Sequence, residues 1–190
     1  MPDDDLLKEL LRETETKMQK SIEVTRHDLA GIRTGRANPG LVEKVEVEYY
    51  GSRLPITQVA TVTAPEPRLL VIAPWDKQVI PAIERAILKS DLGLNPASDG
   101  SVIRLPVPQL TEETRRNLIR LVHKRIEEGK VAVRNIRREG IEHLRAFKKD
   151  GDVAEDDEKR TEEQVQKQTD RYIHDLDQLQ KVKEADLLEV

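Results

Sequence analysis

The residues of this chain best suited to acting on another molecule are the cations of the segment KVAVRNIRR, where Lys130, Arg134, Arg137 and Arg138 recur at i, i+4, i+7 and i+8. On a helix this spacing predicts a shared face beside a Val133/Ile136 seam. Arginine outnumbers lysine there and no glutamate intervenes. A planar guanidinium fork matches a pair of phosphate oxygens better than an ammonium does. Arg115, Arg116, Arg120, Lys124 and Arg125 extend the positive surface one way, and Arg145, Lys148 and Lys149 the other. A second basic pair, Arg33 and Arg36, stands in RTGRANP. A solvated helix face with scattered ion pairs would give the same pattern, and spacing alone leaves both readings open.

The net charge of −4 would count against a phosphate partner if it were evenly spread. It is not. Thr111 to Lys149 carries 12 basic and 6 acidic residues, whereas Asp150 to Val190 carries 6 and 14. Association responds to the local potential of a surface more than to the total. The rings are few, with three tyrosines, one tryptophan and one phenylalanine. That inventory disfavours a reader of unpaired bases and leaves phosphate contact and shape recognition. One of Tyr49 and Tyr50 is expected in a core.

Other chemistries lack their residues. There is no cysteine, which removes disulfides and thiolate metal sites and makes the cytoplasm the expected compartment. No phosphate-cradling glycine loop, HExxH, GxSxG or dinucleotide fingerprint occurs. His27, His123, His143 and His174 fall on predicted helices without a second ligand at suitable spacing, Glu139 with His143 being the nearest approach. Neither an enzyme nor a cofactor is expected. The opening MPDDDLLKELL is acidic where a signal peptide would be basic, and no apolar run approaches the ~20 residues needed to cross a bilayer, so no membrane partner is expected.

The elements that must position the cations follow from periodicity. Leu7, Leu11, Met18, Ile22, Leu29 and Ile32, with Thr25 filling a gap, mark one seam of a first helix about 28 residues long, closed by Gly35 with Pro39 beyond it. Thr111 is the expected N-cap of a second helix whose seam runs Ile119, Val122, Ile126, Gly129, Val133, Ile136, Gly140, Leu144 and Phe147. Each seam glycine costs about 1 kcal/mol relative to alanine, so close helix approach is expected there. Asp152 and Glu155 have capping-box spacing for a third helix with Val165, Thr169, Tyr172, Leu176, Leu179 and Val182 along its seam. Between the first two helices the period changes to that of strands. Val45, Val47 and Tyr49 alternate with charges before a Gly51-Ser52 turn, followed by strand candidates at Val59 to Thr63, Leu69 to Ala73 and Val102 to Leu105, and a short helix from Lys77 to Ser90. The fold class is therefore α+β, an elongated three-helix bundle (1–31 and 107–190) with an inserted small α/β domain (32–106). Hinges are expected near 31–35 and 105–109, around Thr34, Gly35, Pro106 and Pro108.

The segments IRTGRANP, VEYYG, PWDK, IERAILKSDLGLNP, IRLPVPQLTEETRR and VAVRNIRR, in this order and over essentially the whole chain, resemble the bacterial ribosome recycling factors. The resemblance implies a three-helix bundle and a β/α/β domain in an L-shaped arrangement. It also implies a monomeric factor that works on the post-termination ribosome with elongation factor G and GTP to split it into subunits. Carried onto this chain, contacts with large-subunit ribosomal RNA fall on Arg134 first, then on Arg137, Arg138 and Lys130, with Arg33 and Arg36 near the hinge. Ala154 replaces a serine common before the acidic start of the third helix, and Gly129 and Gly140 interrupt a helix that is usually better filled. The alternative is a structural adaptor whose seams pair with a partner coiled coil.

Overall fold

The computed structural model describes residues 2–188, with side chains from residue 5 onward. Two compact units result, one holding the chain up to Arg26 together with Arg120–Ala185, the other built on His27–Ile119.

Three helices make the first unit: α1 (Pro2–Ala30), α3 (Glu112–Asp150) and α4 (Glu155–Leu188), with α2 lying in the second unit. Each buries one seam. In α1 it is Leu7, Leu10, Thr14, Met18, Ile22 and Thr25, so Leu10 takes the place expected of Leu11. In α3 it is Val122, Ile126, Gly129, Val133, Gly140 and Leu144. The glycines are where the helices come closest. A Cβ on Gly129 would lie 2.7 Å from Thr25 Oγ1 and 3.2 Å from Leu176 Cδ2, and one on Gly140 would lie 3.0 Å from Thr14 Oγ1. The two seam threonines of α1 thus face the two seam glycines of α3. The Thr25 hydroxyl does not go unsatisfied in this apolar seam, because it donates to its own helix backbone, at Ser21 O, over 3.0 Å.

The α3–α4 corner corrects one expectation. Gly151 at φ +86 closes α3, with Gly151 N bonded to Lys148 O at 3.1 Å and Asp152 N to Phe147 O at 3.0 Å. This is a Schellman motif. Asp152 is therefore part of the stop of α3, not the cap of α4, which starts at Glu155 behind the uncapped Ala154. Four successive acids, Glu155 to Glu158, meet the positive end of α4 instead, and Glu158 is ion-paired with Lys148 of α3 at 2.5 Å. The α4 seam also drifts. Val165, Thr169, Tyr172 and Leu176 are buried as expected, but beyond them the buried positions are Lys183 and Leu187, while Val182 is exposed.

The second unit is antiparallel throughout its strands. A hairpin pairs β1 (Glu46–Tyr49) with β2 (Ser52–Pro55), and a four-stranded sheet has the order β3-β4-β6-β5, from β3 (Ala60–Glu66), β4 (Leu69–Pro74), β6 (Ile103–Pro106) and the two-residue β5 (Ala97–Ser98). The register Tyr49↔Ser52 makes Tyr50-Gly51 the two-residue turn, one position before the expected Gly51-Ser52. Both residues have positive φ, 45° and 82°, as a type I′ turn requires. The single helix α2 (Ile80–Lys89) carries Pro81 in its first turn, where no hydrogen bond is lost, and packs on β1. Ile83 and Ile87 of α2 join Val47, Ile56, Leu70, Ile72, Ile103 and Leu105 in one fully buried core. The loop before β6 is fixed by Asp99. Its carboxylate accepts from the backbone of Ser101 and Val102 and from Arg104, which together lower its pKa to about 2.

Candidate nucleic-acid interface

Helix α3 carries the basic segment. Thr111 caps it, its Oγ1 accepting from Thr114 N at 3.2 Å, and Glu112 and Glu113 suit its positive end. Its 39 residues span about 58 Å at 1.5 Å per residue.

The four cations of KVAVRNIRR lie within one arc of about 100° on the same side of the seam, but they are used differently across it. At about 100° per residue, Lys130 and Arg137 leave the helix ~40–60° from the Val133 seam, whereas Arg134 and Arg138 leave it ~100–140° away. The structure follows this division. Lys130, with its side chain only 18% exposed, turns to α4 and pairs with Asp177 at 2.6 Å. Arg137 also reaches α4, donating from Nη1 to Gln166 Oε1 at 3.1 Å, while its Nε is buried without a partner. Arg134 faces outward, 40% exposed, on Glu127 at 3.0 Å. The exposed Arg138 donates to Asn135 Oδ1 at 3.3 Å. Arg145 is exposed on the same side as these two, and so is Val131, an exposed aliphatic residue among cations that charge counting does not pick out. An exposed ion pair such as Arg134 with Glu127 contributes only about 0–1 kcal/mol, so exchanging the carboxylate for a phosphate costs the fold little. The outward face therefore offers guanidinium forks to an extended anion. The inward cations tie α3 to α4, Lys130 with its charge matched by Asp177 and Arg137 through the neutral Gln166.

Arg33 and Arg36 lie in the second unit. Contrary to expectation, α1 ends at Ala30, with Gly31 N bonded to His27 O at 3.4 Å and Ile32 N to Leu29 O at 3.1 Å. Gly35, at φ +79, instead forms a bend whose Cβ position would stand 3.6 Å from Leu110 Cγ. Arg33 is half-buried, Thr34 buried and Arg36 exposed. At the other crossing the sheet continues through Pro106, which pairs with Leu69, and Val107 N bonds to Arg68 O at 2.9 Å, so irregular chain begins only at the exposed Pro108.

His123 pairs with Glu184 at 2.5 Å and His27 with Glu43 at 3.3 Å, and no group of three His, Cys, Asp or Glu among the described residues could hold a metal ion. No helix among them is long and apolar enough to cross a membrane.

Comparison with known proteins bears on the same features. Ribosome-recycling factors from Heliobacterium modesticaldum and Syntrophomonas wolfei are 53% and 52% identical over 185 residues, covering 97% of this chain and all of each relative. A solution structure of a ribosome recycling factor superposes with a TM-score of 0.76 at 44% identity, over 97% of this chain and 98% of that one. A second structure has a TM-score of 0.69 at 51% identity, over 96% and 99%. It is described as models for the T. thermophilus ribosome recycling factor and the E. coli elongation factor G bound to the E. coli post-termination complex. With residues 25–188 also matching the ribosome recycling factor family as a whole, and an α+β fold of long helices and an antiparallel sheet shared with its solved structures, the chain belongs to that family.

Proposed function

We propose that this protein recycles ribosomes in the cytoplasm, binding the post-termination ribosome as a monomer and, with elongation factor G and GTP, splitting it into subunits. The observation that carries the reading is the outward face of α3, where Arg134, Arg138 and Arg145 project together from a helix of about 58 Å. A long, stiff row of guanidinium groups suits the phosphates of large-subunit ribosomal RNA. Arg134 and Arg138 make the direct contacts, Arg137 raises the potential from beneath, Lys130, its charge matched by Asp177, braces α3 against α4 under that face, and Arg33 and Arg36 add charge near the hinge. The chain has no phosphate-cradling loop for GTP, so the work of splitting comes from its binding energy and from the translocase.

The bundle (1–31 and 107–190) is the docking element and the inserted domain (32–106) the part that receives force, moving about Thr34 and Gly35 and about Pro108; Pro106, expected as a hinge residue, is instead held in the sheet. A disulfide introduced across the two crossings should preserve ribosome binding and stop splitting; full activity in the oxidised form would remove hinge motion from the account. An adaptor pairing through free helical seams is disfavoured, because Gly129 of α3 already closes on Thr25 of α1 and Leu176 of α4. The direct test measures splitting of purified post-termination ribosomes. Subunits should be released only when the protein, elongation factor G and GTP are all present, and no release under that condition would overturn the reading.

A further inference from the structure

This aromatic-poor chain exposes two of its five rings, and the residue that follows one of them is hydrogen-bonded to the other. Trp75, the sole tryptophan, is 70% exposed and Tyr50 is 75% exposed, the two most exposed large hydrophobic residues among those described. Neither is loose. The Tyr50 hydroxyl donates to Asp76 Oδ2 at 3.1 Å, and its ring meets that of Tyr49 edge-on with centroids 4.6 Å apart. Trp75 Nε1 donates to Thr61 Oγ1 at 3.3 Å, and its backbone N bonds to Val59 O at 3.1 Å. Asp76, which follows Trp75 in the chain and holds the Tyr50 hydroxyl, accepts from Gln78 N with its other oxygen at 2.9 Å. The turn adds a second observation. Tyr50 occupies a left-handed conformation at φ 45, where asparagine or glycine would be at ease and a bulky ring is strained. Local folding does not call for tyrosine there.

We infer that Tyr50, Asp76 and Trp75 form a receptor for an arginine or lysine side chain presented by a protein partner. Aromatic faces attract cations, and a carboxylate bonded to one of these residues and next in the chain to the other sets the sign of the charge they accept. The carboxylate also argues against RNA, since platforms for stacking bases lie in positive grooves. Lys77, next in the chain, is directed to Ser101 Oγ at 3.4 Å. The hydrogen bond to Asp76 raises the Tyr50 pKa and keeps the phenol a donor, so the receptor holds its geometry before the partner arrives. Exposed, immobilised tryptophan and tyrosine are the usual anchors of protein interfaces.

The inference rests on the recycling function proposed above, with the receptor engaging a protein of the assembly that the splitting reaction requires. The test compares wild type with Tyr50→Asn, Trp75→Ala and the double variant in ribosome splitting, in binding to large subunits without elongation factor G, and in thermal melting. Asn-Gly is a preferred type I′ pair, so Tyr50→Asn should melt no lower than wild type. The double variant should split about tenfold more slowly or worse, with large-subunit binding unchanged. A photoreactive benzophenone side chain in place of Tyr50 should cross-link, in the complete splitting mixture, to a protein peptide containing arginine or lysine. Wild-type splitting by the double variant, cross-links to ribosomal RNA, or no protein cross-link would overturn the receptor. Failure of the wild type itself to split ribosomes would overturn the functional reading instead.

Discussion

The two sides of α3 are built on opposite rules. Its inner side gives up side chains altogether at Gly129 and Gly140 so that the threonines of α1 can approach, and there a single added carbon would stand 2.7 Å from an oxygen. Its outer side carries long cations in weak, exposed pairings, such as Arg134 with Glu127. Lys130 and Arg137 lie between the two, cationic in type but engaged with α4. The difference teaches that residue type alone does not assign a role on a helix. A rotation of ~60° turns the same charge from a possible RNA contact into part of the packing between helices.

The comparison can be broken from the outer side first. Reversing Arg134 and Arg138 to glutamate should weaken binding to large ribosomal subunits about a hundredfold or more, since two phosphate contacts become repulsions. The melting temperature should stay nearly constant, because exposed pairs contribute only ~0–1 kcal/mol. A large loss of thermal stability would place these arginines in the packing. On the inner side, Gly129→Ala should do the reverse. Helix propensity gains about 1 kcal/mol, but overpacking against the stiff Thr25 costs ~1–3 kcal/mol. A net destabilisation of about 1 kcal/mol is expected in denaturant titration, shrinking in a Thr25→Ala background. Gly140→Ala, with its nearest contact at 3.0 Å, should be closer to neutral. Lys130→Gln is the finest discriminator. It should cost about 0.5–1 kcal/mol of stability through loss of the Asp177 pair and weaken ribosome binding less than Arg134→Gln; a larger binding defect would make Lys130 a direct contact.

Much of this arrangement was legible in the sequence. The helical seams, the strand periods and the Thr111 cap follow from residue types and spacing, and the glycines on the α3 seam signalled close approach. The parts that were not legible depend on physics the pattern hides. Asp152 looks like a cap, but Gly151 draws it into the termination of the preceding helix. Val182 looks like a seam residue, yet a strict 3.6-residue period brings Lys183 inward, where its aliphatic stem can be buried. Tyr50 in a left-handed turn runs against the preference for glycine or asparagine, which displaced the expected turn by one residue. The separation of Lys130 and Arg137 from Arg134 and Arg138 was available from helix geometry, because offsets of 0, 4, 7 and 8 residues span about 100°. Their partners Asp177 and Gln166 were not, because they sit on another helix.

The central claim is that guanidinium groups on the outward face of α3 hold ribosomal phosphates, and its most direct test is the salt dependence of binding to purified large subunits. Each phosphate contact releases counterions, so the logarithm of affinity should fall linearly with the logarithm of salt concentration, and Arg134→Ala with Arg138→Ala should make that slope shallower by about two. An identical slope in wild type and variant would contradict the account.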